Sequence, residues 1–174
     1  LFMVGIKDAE DLVGEPADGM ARAIRQRSAR LVLNTLLSPV SPLFDTLYRE
    51  GLINDSFGYH YADDFSFSLL LCGGESEHPD QAAIRLQEGL MEACRSGLDP
   101  TLFSAQKRSA AGDMVRTLDS VDQGGLVQAR CSLLGLDLFD YPGIYDKIDP
   151  ELAIHLMHCL SDPNNYATAI IEPR

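Results

Sequence analysis

Apolar positions change their spacing several times along the chain, and each change marks a predicted element. Leu1 to Lys7 is a short apolar run closed by a charge, and the stretch after it holds Gly14, Pro16 and Gly19, so a strand and then a connector are expected. Met20, Ile24 and Leu31 then recur at helical spacing while Arg22, Arg25 and Arg30 fall largely off that stripe. This predicts an amphipathic helix to about Leu37 with the arginines on its solvated face. Ser38, Pro39, Ser41 and Pro42 break the chain, and Leu43 to Glu50 reads as a short helix that Gly51 can stop in a left-handed cap.

Beyond that glycine the period falls to two. Phe57, Tyr59 and Tyr61 alternate with Gly58 and His60, and Phe67, Leu69 and Leu71 alternate with Ser66, Ser68 and Leu70, which predicts an antiparallel hairpin turning at Asp63 and Asp64. Gly73 and Gly74 close the second strand. Pro79 suits the first turn of a helix striped by Ala83, Leu86, Leu90 and Cys94 and stopped by Gly97. Asp99 with Pro100 caps and opens a helix to about Leu118, and another follows from Val121 to Leu134. Asp149 with Pro150 repeats the signal, Leu152, Leu156 and Cys159 stripe the last helix, and Tyr166 to Glu172 reads as a closing strand. This order gives an α+β fold, a mainly antiparallel sheet packed against several helices, and it shows no repeated βαβ unit. The length of 174 residues, 45% of them hydrophobic, suits one domain over residues 1–174.

Composition removes several functions. A formal charge of -12 argues against a nucleic-acid surface, where clustered Lys and Arg must displace counterions. The longest apolar run, Phe67 to Cys72, is far below the roughly 20 residues that span a bilayer, so no membrane partner is expected. The chain starts at Leu1, and a strand there does not read as a signal peptide, so a processing or fragment boundary is expected. Cys72, Cys94, Cys131 and Cys159 are far apart and sit among apolar neighbours; they read as reduced core thiols in a cytoplasmic protein.

No motif supports catalysis unaided. Of His60, His78, His155 and His158, only the last two are expected on one helix, as H-x-x-H, with apolar residues and no Glu between them; they read as a structural or solvated pair, with no metal. No G-x-S-x-G elbow is present, and Gly73 and Gly74 lack the Lys and Ser or Thr of a phosphate loop. Asp63 and Asp64 read as solvated turn charges.

The stretch SPLFDTLYREGLINDSFGYHY, from Ser41 to Tyr61, resembles a segment of pitrilysin/insulysin-type zinc peptidases that runs from a short helix through a Gly-Leu turn into an aromatic strand. With LCGGE at Leu71 to Glu75, RTLDSVDQGG at Arg116 to Gly125 and LFDYP at Leu138 to Pro142, the chain resembles the C-terminal half of a bacterial, YmfH-like branch of that family.

The resemblance implies one half of a mitochondrial-processing-peptidase-like metallohydrolase fold, in which two α+β halves close around an unfolded peptide. It implies zinc on the other, catalytic N-terminal half, held through an inverted H-x-x-E-H motif and a distal Glu; this chain lacks that motif and should be inactive alone. That half would lie on the same polypeptide or on a partner subunit, and an extended peptide would be the substrate. The resemblance also implies an Arg and an aromatic residue that hold the substrate backbone: the Arg position falls at Tyr48, with Arg49 beside it, and the aromatic position at Phe57 or Tyr59. A surface arginine and a half-buried strand tyrosine would account for the same residues. Leu37 to Leu43 reads LSPVSPL, without glycine, so no flexible gripping loop is expected there. The alternative function is a non-enzymatic scaffold or binding subunit related to these peptidases.

Overall fold

The computed structural model describes residues 1–8, 19–63, 67–139 and 141–171. The expected connector around Gly14 and Pro16, the turn residue Asp64 and Glu172 lie outside them. Four strands, β1 (Phe2–Lys7), β2 (Gly58–Asp63), β3 (Ser68–Gly74) and β4 (Tyr166–Ile170), form one sheet in the order β2-β3-β1-β4. Every neighbouring pair is antiparallel, so the α+β expectation and the hairpin of β2 with β3 both hold.

The helices are α1 (Gly19–Leu37), α2 (Pro42–Arg49), α3 (Pro79–Ser96), α4 (Pro100–Leu118), α5 (Val121–Leu133) and α6 (Pro150–Leu156). Their ends follow the sequence chemistry. The Ser41 hydroxyl accepts from the Phe44 amide at the start of α2, the Asp99 carboxylate accepts from the Thr101 and Leu102 amides, and the Asp149 carboxylate from that of Leu152. Gly51 and Gly97 take positive φ of 71° and 81° just past α2 and α3, a conformation that costs other residues a Cβ clash.

Phe2, Val4 and Ile6 of β1 are fully buried, and Val4 and Ile6 pair with the buried Cys72 and Leu70 of β3; α3 packs against β1 and α1 against β2. The reverse face leaves Met3 38% exposed.

The expected apolar face of β3 is the wrong one. Leu70 and Cys72 are buried, Leu69 and Leu71 are only half-buried, and Phe67 precedes the strand and is exposed. Three consecutive leucines carry no period of their own, and the pairing of Val4 with Cys72 and Ile6 with Leu70 sets the register.

The helix α1 also departs from expectation. Arg25 is only 4% exposed, not solvated, because α1 is covered by β2 on one side and by α4, α6 and the 3-10 segment Tyr141–Lys147 on others. A one-stripe pattern presumes one covered face, and this helix has several.

The chain turns out of α6 after Leu156, so His155 lies in the last turn of α6 while His158 opens a separate 3-10 segment. The buried residues there are Ala153, Met157, Cys159 and Leu160; Leu152 is half-buried, and the Leu156 side chain lies outside the description.

Candidate functional site

The short helix α2 delivers Tyr48 and Arg49 to the surface. Tyr48 stacks on Phe44 at 5.9 Å between ring centroids, Phe44 meets Phe57 edge-on at 6.0 Å, and Phe57 stacks on Phe2 at 6.5 Å. This row of rings runs from the core to solvent and joins Tyr48 to Phe57. Arg49 lies outside it, and its Nε donates to Asp45 Oδ1 at 3.0 Å one helical turn back. Tyr59 stands half-buried on β2, an edge strand, and burial raises its phenol pKa. No hydrogen bond or ion pair joins Arg49 to Tyr59 among the described residues.

Beneath β2 lies a buried ionic group that the arginine spacing did not reveal. Arg25 Nε donates to Asp8 Oδ2 at 3.0 Å, a second guanidinium nitrogen contacts Asp8 Oδ1, and the Tyr61 hydroxyl donates to Asp8 Oδ2 at 2.9 Å. Burial, with the nearby Asp8 charge, drives the Tyr61 pKa upward, so its hydroxyl stays a donor. The group ties β1, α1 and β2 together.

Beside it, a cleft of about 400 Å3 opens between the N-terminal half of α1, the open edge of β2 and α5. Arg22, Arg27 and Arg30 come from α1, Arg130 from α5, and His60 to Asp63 from β2. Asp63 is not a solvated turn charge: it ends β2 half-buried, accepting from Arg22 Nε at 3.3 Å and from Gln26 Nε2 at 2.7 Å. The Arg27 guanidinium sits 5.9 Å from the centre of the Tyr145 ring. Gly19 allows this joint between helices, because a Cβ there would lie 1.7 Å from the Leu134 carbonyl oxygen. Arg22, Arg27 and Arg30 of α1 were visible as composition; their meeting with Arg130 depends on α5, which is distant in sequence.

The residues present do not fit a zinc ion. Among the described residues no three His, Cys, Asp or Glu side chains come together as a ligand set. His155 and His158 are exposed, with ring centroids 6.5 Å apart, and His158 Nδ1 lies 3.2 Å from the His155 carbonyl oxygen. Three cysteines are buried and Cys94 is half-buried; burial pushes the Cys72 thiol up to about 12 and that of Cys94 up to about 11. Thiols held neutral in this way are poor nucleophiles. No helix among the described residues is long and apolar enough to cross a membrane.

Comparison with known proteins gives a consistent set of likenesses. The chain is 25% identical over 124 residues to a Bacillus subtilis protein described as the zinc protease YmfH, a match over 71% of this chain and 29% of that protein. It superposes with a TM-score of 0.80 and 21% identity on an Alicyclobacillus acidocaldarius protein described as an M16-like peptidase, covering 96% of this chain and 39% of that one. It superposes with a TM-score of 0.72 and 10% identity on a Bordetella parapertussis structure described as the inactive peptidase domain of a zinc protease, covering 99% of this chain and 92% of that one. No family model matches. The chain thus spans under two fifths of the length of the first two proteins.

Proposed function

We propose that this chain, a relative of the pitrilysin-type zinc peptidases, is the non-catalytic half of a zinc-dependent endopeptidase: it closes the peptide chamber and helps to bind an extended substrate. The observation that carries the reading is one of proportion. The chain spans 29% and 39% of two proteins described as peptidases, while its described residues bring no metal-ligand set together. Zinc, its ligands and the activating Glu are assigned to a catalytic half on the same polypeptide or on a partner subunit. The likeness to a domain described as inactive supports a half that works by binding. The buried thiols suit the cytoplasmic setting proposed for it.

Peptide binding is assigned to the open edge of β2 and the neighbouring α2. An extended peptide must satisfy its backbone amides and carbonyls, and an unpaired strand edge offers partners at the matching repeat. Tyr59 supplies an aromatic face with one polar end on that strand. Among the described residues Arg49 is held by an exposed pair with Asp45, worth about 0.3–0.5 kcal/mol, so it can turn to a peptide carbonyl at little cost.

In the enzyme reassembled from both halves, Arg49→Ala and Tyr59→Phe should each lower peptide turnover about tenfold or more, roughly 1.4 kcal/mol of transition-state stabilisation, with zinc content and fold unchanged. Full turnover in both, with Tyr48→Phe or Phe57→Leu inactive, would move the contact to the aromatic row. Full turnover in all four would remove the substrate-contact reading of this segment.

A further inference from the structure

Gly58 opens the edge strand β2 and shares a sheet face with His60 and Ala62, opposite to the face of Tyr59 and Tyr61. Neither conformation nor packing calls for a glycine there. Its φ is not positive, unlike that of Gly51, Gly97 and Gly135. It is exposed, and among the described residues nothing lies within 4 Å of the place a Cβ would take, whereas a Cβ on Gly73 or Gly74 would collide with backbone. A glycine in a strand leaves bare backbone unless a neighbouring side chain, an aromatic ring above all, lies across it. β3 supplies none, because the register sets Gly58 against Gly73.

The face around Gly58 is mostly apolar. Leu69 and Leu71 of β3 are half-buried on it and Met3 of β1 is exposed, while Lys7 is the one charged residue that the described strands place there. A strand docked on the free edge of β2 lies about 4.8 Å away and sets one residue directly opposite Gly58. A ring at that position can lie across the bare backbone of β2. Its diagonal neighbour is the exposed His60, within reach of an aromatic side chain.

We propose that Gly58 is the selective position of the β2 edge, and that a docked peptide covers it with a large apolar side chain, best an aromatic ring. This rests on the peptide-binding reading of β2 given above. The test uses two fluorescent Thr-rich peptides with blocked ends that differ only in a central Phe or Ala, titrated with the 174-residue chain. The Phe peptide should bind about fivefold tighter, the scale of one favourable cross-strand pair. Gly58→Gln fills the open space with a neutral polar side chain and should erase that advantage while the Ala peptide binds as before. Ala167→Gln, exposed on the same sheet face but on β4, should leave the advantage intact, and thermal melts check that both variants fold. Equal affinities for the two peptides would overturn the proposal and leave the edge reading standing, whereas binding of neither would overturn both. A Phe preference kept in Gly58→Gln, or lost equally in Ala167→Gln, would also overturn it.

Discussion

Taking Asp8 and Arg25 out of water costs several kcal/mol per ion, and only their mutual contact and further hydrogen bonds offset it. Here the carboxylate accepts from both Arg25 and the Tyr61 hydroxyl, so removing one partner strands a charge in the core. Asp8→Asn and Arg25→Met are each expected to lower unfolding free energy by about 3–5 kcal/mol, and Tyr61→Phe by about 1 kcal/mol. The double variant Asp8→Leu/Arg25→Met should lose much less than the sum of two single losses, because no charge is left unpaired. Urea titrations measure all four, and additive losses would show that the ions do not act as a pair. Arg25 was legible in the sequence only as one more arginine off an apolar stripe. Its burial follows from a strand, two helices and a 3-10 segment that are distant in sequence, and a helical period carries no record of them.

At the scale of elements, local chemistry was readable and non-local pairing was not. Asp99 and Asp149 cap their helices by bonds two or three residues away, and the Pro that follows each one fits the first turn, so those boundaries could be read directly. The face of β3 could not be read, since Leu69, Leu70 and Leu71 satisfy either register and β1 decides between them. The same division applies to the candidate site: Tyr59 on an aromatic strand was visible, whereas the cleft beside it needs α5 to be folded against α1. That joint makes a prediction about glycines. Gly19→Ala pushes a Cβ into the Leu134 carbonyl and should destabilise by about 1–3 kcal/mol. Gly112→Ala, inside α4 with nothing within 4 Å, should stabilise by about 0.5–1 kcal/mol. Thermal melts of the two variants should move in opposite directions, and a shared sign would contradict the packing of α1 on α5.

For the whole molecule, a sheet with an open edge strand is the basis of the proposed binding role, and among the described residues no metal-ligand set comes together to activate a water. A complete peptidase combines two properties, holding an extended peptide and cutting it, and the proposed role gives this chain only the first. Both can be read in one experiment, in which the chain is incubated with excess zinc, desalted, analysed for metal, and mixed with a fluorescent unstructured peptide whose binding is followed by anisotropy and whose mass is followed over time. The predicted result is a bound peptide recovered intact, with no stoichiometric zinc and no effect of a chelator. One tight zinc per chain, with the peptide cleaved and the cleavage abolished by chelation, would contradict it.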